Sequence, residues 1–157
     1  MEILRQAHFS EDGQHRFWLL RSWAENPKMI LFIGLNPSTA DAENDDPTIR
    51  SCIRLTKQLG FGGFVICNLF TIISPYPEVI QEKQYDANRQ PEADETLKRM
   101  INHTHKTICC WGRFIVAEYR AMEISQWLGI RWCFGKNADG SPKHPLYLPT
   151  DSQLTSF

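Results

Sequence analysis

Long hydrophobic runs are missing from this chain: no stretch approaches the roughly 20 apolar residues that a membrane helix needs, and no signal peptide is expected. Charge of one sign is missing too. Seventeen Lys and Arg against eighteen Asp and Glu give a formal net charge of −1. That balance excludes a global basic footprint for nucleic acid, so any such contact must come from a local patch. Cysteine is scarce and unpatterned. The five, Cys52, Cys67, Cys109, Cys110 and Cys133, are odd in number, form no CxxC pair and lie in or near apolar segments. They read as reduced core thiols of a cytoplasmic protein rather than a disulfide frame, an iron–sulfur site or a zinc site. Internal repeats and low-complexity tracts are absent as well. A chain of 157 residues with ordinary globular composition favours one domain with a real core.

The stretch that organises the rest is Met29–Arg50, MILFIGLNPSTADAENDDPTIR. Met29–Leu35 is an apolar run suited to a fully buried strand. Asn36-Pro37-Ser38 stops it, because proline cannot donate to a sheet ladder and Asn and Ser prefer turns. Asp46-Pro47 then reads as a helix start, with Asp46 as N-cap and Pro47 in the first helical position. A central strand thus ends in a polar loop that leads to a helix N-terminus, which is where open α/β sheets bind ligands.

Before this stretch, residues 1–28 predict a β-hairpin that turns at Ser10-Glu11-Asp12-Gly13. His8 and His15 flank the turn as surface histidines. After it, Thr48–Leu59 predicts a helix closed by Gly60, and Phe64–Cys67 a second buried strand ending at Asn68. A long connection over residues 74–91 follows, of the length that covers functional sites. Glu92–His103 predicts a helix, Lys106–Gly112 a third strand, Phe114–Leu128 a helix and Ile130–Gly135 a fourth strand. Lys136–Phe157 reads as a closing loop. The alternation predicts an α/β fold with a four-stranded parallel central sheet covered on both faces, plus the N-terminal hairpin. Residues 1–157 form one domain on this reading, with 1–28 as the hairpin extension and 29–157 as the parallel-sheet core.

Asn36-Pro37-Ser38, Asn68 and the segment ending in His144-Pro145 all fall near carboxyl ends of these strands, so distant residues converge on one sheet edge. Nearly end to end, the chain resembles a family of bacterial and phage proteins known as domain of unknown function 1643. The resemblance is carried by FSEDGQHRFWLLRSW, GLNPSTADAENDDPTIR, GFGGFVICNLF, CCWG and DGSPKHPLYLP. More distantly, the order of Gly34-Leu35-Asn36-Pro37-Ser38, Val65-Ile66-Cys67-Asn68, Cys110-Trp111-Gly112 and His144-Pro145-Leu146 resembles the uracil-DNA glycosylase superfamily.

That second resemblance implies a three-layer sandwich and an enzyme that hydrolyses an N-glycosidic bond. Its implied catalytic residues are Asn36, which would place water, and His144, which would stabilise the leaving base by oxyanion-hole logic. An amide is a poor base, so Asp41, Asp45 or Asp46 would serve if a base is needed, with Asp41 as the first choice. Asn68 would read a pyrimidine edge. Gly34, Pro37, Ser38, Trp111 and Gly112 would complete the substrate site. The implied partners are a nucleobase, a nucleotide or single-stranded nucleic acid. No cofactor, metal or membrane is assigned. Leu146 stands where those enzymes carry Ser, and the acidic loop would repel phosphate, which argues against scanning of duplex DNA. The residues also admit plainer roles: turn caps for Asn36 and Ser38, a buried structural amide for Asn68, a surface histidine for His144. A non-catalytic nucleotide-binding module and a structural protein stay open as alternatives.

Overall fold

A computed structural model of the chain describes residues 2–80 and 90–157. Its elements run β1 (Leu4–Phe9), β2 (Arg16–Ser22), β3 (Met29–Gly34), α1 (Pro47–Gln58), β4 (Gly63–Asn68), α2 (Gln90–His103), β5 (Lys106–Cys109), α3 (Ile115–Ser125), β6 (Trp132–Cys133) and β7 (Thr155–Ser156). The strands form one mixed sheet in the order β1-β2-β4-β3-β5-β6-β7. Neighbours within the run β4-β3-β5-β6 pair parallel, and the outer strands pair antiparallel.

The hairpin extends the parallel strands into a larger mixed sheet: β2 pairs directly with β4, from Leu19 opposite Ile66 to Ser22 opposite Gly63. The final segment differs from the sequence reading, since it is not all loop: β7 adds to β6 at the other edge. Two residues are too few for a periodic signal, so pairing alone creates that strand. β6 itself holds only Trp132–Cys133 of the expected Ile130–Gly135. Of the 74–91 connection, residues 81–89 lie outside the described residues.

Alternation along β3 divides the core. Leu31 and Ile33 face one cluster with Val65, Cys67, Cys109, Leu97 of α2 and Ala117 and Ile124 of α3. Ile30 and Phe32 face the other with Phe64, Ile66, Ile108 and the Ile49, Cys52 and Leu55 stripe of α1. Helices therefore cover both faces, and a fully buried strand must be apolar at every position. Burying Ile49 and Leu55, each 1% exposed, contributes roughly 1.5–3 kcal/mol apiece.

Helix α1 starts as its sequence indicates. The Asp46 side chain accepts from the Ile49 N–H at 2.9 Å, Pro47 occupies the first turn, and Gly60 takes the left-handed φ of +78° after the helix. All five cysteines are buried free thiols. Burial raises the pKa of Cys67 and Cys109 to about 12, so these thiols stay protonated and unreactive. His8 is exposed, as a turn-flanking histidine should be. His15, expected at the surface beside it, is instead 5% exposed and hydrogen-bonded through Nδ1 to Thr71 Oγ1 at 2.8 Å. The cause is the loop after β4, which folds back over the hairpin end and bridges Ile72 to His15.

Candidate functional site

At the carboxyl ends of β3, β4 and β5 the chain encloses a cavity of about 420 Å³, within the range of roughly 300–1,000 Å³ typical of small-molecule sites. Gly34, Asn36, Ser38, Asn68, Trp111, Gly112 and His144 all line it. Residues separated by up to 110 positions in the chain are thereby brought to one place, because parallel strands end on the same edge.

Two glycines make the close approaches. A Cβ on Gly34 would stand 2.7 Å from Asn68 Oδ1, so only glycine lets the Asn68 amide lie across the end of β3. Gly112 has a φ of +76°, and a Cβ there would meet the Cβ of His144 at 3.4 Å. The N–H of Gly112 donates to Pro142 O at 2.9 Å. That bond ties the end of β5 to the loop that carries His144.

His144 is half-buried, and burial lowers its pKa, with Asp46 pulling in the opposite direction. Its Nδ1 accepts the Leu146 N–H at 3.1 Å. An accepting Nδ1 carries no proton, so the neutral ring holds its hydrogen on Nε2. His144 is therefore a neutral donor at physiological pH.

Asn68 is 7% exposed, and its Nδ2 is buried with no hydrogen-bond partner among the described residues. A buried amide N–H left unpaired costs about 1–3 kcal/mol, so it calls for a functional account. Asn36 differs. Its Nδ2 is surrounded by three carbonyl oxygens, those of Pro37, Ile72 and Ser74 at 3.1, 3.2 and 3.0 Å. That amide pins the loop after β4 to the loop after β3, and only its Oδ1 is left to meet a ligand or water.

Asp41 lies outside the cavity lining. Its Oδ1 accepts the backbone N–H of Glu43 at 2.8 Å and of Asn44 at 2.7 Å. Those bonds, the Asn44 one first, hold its pKa below the usual carboxylate value. A depressed pKa and bonds committed to a tight turn suit a loop staple, so the structure does not bring Asp41 to the site as a base. Pro37 is buried behind the lining, its carbonyl accepting from Ser74 N at 2.9 Å. Trp111 is 5% exposed and packs edge-on against Phe157 at 5.4 Å, so its ring belongs chiefly to the core.

The acidic loop is mostly spoken for. Asp45 takes Arg5 and Arg21, each at 2.8 Å, and these bonds outweigh the burial that would raise its pKa. Asp46 alone of the four carboxylates lines the cavity. Its Oδ1 accepts from Ile49 N at 2.9 Å and its Oδ2 from Ala40 N at 3.3 Å.

Several lining residues went unseen in the sequence, and one of them is a buried cation. Arg16 is 2% exposed, lines the cavity and donates from Nη1 to Ala40 O at 2.9 Å. Period-2 alternation groups Arg16 with Trp18 and Leu20, on the side away from α1. A register shift opposite His8 and Phe9 sets two steps of β2 against one of β1. Such a bulge re-aims a side chain, and Arg16 ends beside Ala40, in the α1 cluster. Two cations of α1 stay away from the cavity: Lys57 lies over the Trp23 ring, and Arg54 donates to Gln58 and Leu148.

Comparison with curated proteins finds no match, and comparison with solved structures finds none either. A family model does match, over residues 16–146, which takes in β2 through the His144 loop and so every residue that lines the cavity. The chain therefore belongs to the family described as "Protein of unknown function (DUF1643)".

Proposed function

We propose that the cavity binds a nucleobase or nucleotide, free or in a single strand, and that the protein hydrolyses the N-glycosidic bond of that ligand. The observation that carries this reading is the pairing of a neutral His144, with its proton on Nε2, and an unpartnered Asn68 amide in one cavity. The motif order that resembles the uracil-DNA glycosylase superfamily supports it further. Cleavage breaks the bond from C1′ to the base nitrogen. The sugar gains positive charge and the base leaves as an anion. His144 Nε2–H donates to the base oxygen where that charge collects, which stabilises the transition state more than the ground state. Asn68 pairs with the base edge. Asn36 accepts a hydrogen from the attacking water through Oδ1 and orients it. The proton released by that water ends on the departing base.

A second reading has an observation of its own. Asn36 spends its amide hydrogens on backbone carbonyls, Asp41 stands outside the cavity, and both Asp46 oxygens already accept backbone N–H groups. A cavity with recognition groups but no free base suits a binding module without turnover. Base release from a panel of nucleosides, nucleotides and short single strands, followed by chromatography, separates the two. An enzyme releases base, His144→Ala loses about 10²-fold or more in rate, and Asn68→Ala loses binding. Binding without release by the wild type assigns the module. Neither binding nor release refutes both.

A further inference from the structure

Among the described residues three arginines are buried, and two are matched by acids. Arg21 donates from Nε to Asp45 at 2.8 Å and from its other nitrogens to the carbonyls of Leu20 and Asp41 at 2.9 and 2.7 Å. Arg120 pairs with Asp94 and with Glu123 and donates to Leu69 O. Arg16 makes no ion pair among the described residues. Among the described residues its guanidinium makes one hydrogen bond, to Ala40 O, and its Nε is buried without a partner. Burial lowers its pKa to about 10, so it is still a cation at neutral pH. Asp46 attracts it from a distance, but that carboxylate caps α1 and holds Ala40 N.

An unpaired guanidinium in a protein interior is strongly disfavoured unless something completes it. Here the unpaired group borders a cavity, and the unpartnered amide of Asn68 borders the same cavity. Two independent orphan donors on two different strands therefore point to one missing acceptor-rich partner. The start of α1 adds to the field, since Thr48 and Ile49 also line the space and a helix N-terminus favours negative charge. The acidic loop brings one carboxylate to the cavity, Asp46, whose oxygens are taken by the N–H groups of Ile49 and Ala40, while Asp41 and Asp45 are held by their own donors away from it. Arginine suits an oxyanion in particular, since its planar fork matches carboxylate and phosphate geometry.

We infer that the Arg16 end of the cavity is an oxyanion subsite: the ligand carries an anionic phosphate or carboxylate group that Arg16 receives, beside a neutral acceptor taken by Asn68. This rests on the proposed function only for the base attached to the oxyanion; the subsite itself rests on Arg16.

The test is calorimetric titration of the full chain at constant ionic strength. The probes are a pyrimidine nucleoside, its 5′-monophosphate, a carboxylated pyrimidine base, that base without its carboxylate, and inorganic phosphate. At least one anionic probe is expected to bind about tenfold or more tightly than its uncharged parent. Which one does so tells phosphate from carboxylate. Arg16→Met is expected to abolish that preference and leave the uncharged parent's affinity within about twofold, while Arg16→Lys recovers part of it. Equal affinity for charged and uncharged probes, or a preference that survives Arg16→Met, overturns the subsite and leaves the nucleobase reading standing. Binding of inorganic phosphate that Arg16→Met removes, with no binding of any base or nucleoside, upholds the subsite and sinks the nucleobase reading. No binding by any probe overturns both. If Arg16→Met does not fold, the Arg16 Nε–H resonance of the wild type decides instead. It is expected to shift on titration with the anionic probes, and an unmoved resonance overturns the subsite.

Discussion

Arg16 and Arg21 sit five residues apart on β2, both buried, and removing each tests opposite consequences of burial. Arg21→Met strips a partner from Asp45, whose side chain is 14% exposed, and leaves the carbonyls of Leu20 and Asp41 without their donor. Breaking one side of a buried pair costs about 3–5 kcal/mol. For a chain of this length that is a fall in melting temperature of roughly 6–20 °C. Arg16→Met loses one bond, to Ala40 O. The stranded carbonyl costs about 1–3 kcal/mol. Offsetting it, a desolvated charge with no ion-pair partner disappears, and exchange of buried charges for apolar side chains is often neutral or stabilising by about 1–4 kcal/mol. The expected net change is within about 1 kcal/mol of zero, or a gain. Urea unfolding followed by tryptophan fluorescence measures both, compared through midpoints at constant slope. Arg16→Met costing as much as Arg21→Met would refute the reasoning, because Arg16 would then have a full partner within the protein.

Two further predictions concern the positioning of Asn68 and His144. Gly34→Ala places a Cβ at 2.7 Å from Asn68 Oδ1 without backbone strain, so the amide must swing aside. We expect a stability loss of at most about 2 kcal/mol but the ligand-binding loss of Asn68→Ala, read by thermal shift, with Gly129→Ala as a silent control because nothing lies near its Cβ. His144 has a folded pKa below its ordinary value of 6.5 through burial. As pH falls through about 6.5 the unfolded chain takes up a proton that the folded chain refuses. Stability from this residue is thus full above pH 6.5 and declines as pH drops toward the folded pKa, a slope that His144→Gln should remove. An imidazole proton resonance that titrates above 6.5 would contradict it.

Much of the frame is local chemistry, and the sequence alone determined it. Met29–Gly34 is apolar at every position, Asp46-Pro47 starts a helix, and Gly60 ends it, because each preference acts over a few residues. The strand–helix alternation brings Asn36, Asn68 and His144 toward one edge for the same reason. Tertiary structure decided the rest. Asn36 is bound by carbonyls up to 38 positions away, which no local pattern reveals, and Asp41 is consumed by its own turn. The β7 edge strand exists only through pairing with β6. Arg21 follows the alternation and shares the buried face of Phe17 and Leu19, both 2% exposed or less. Arg16 does not, because a bulge in its own strand, where β2 meets β1, turned it from the alternating face toward α1. Bulges depend on how two strands meet rather than on either strand alone, and so the buried cation at the cavity became visible only once the chain was folded.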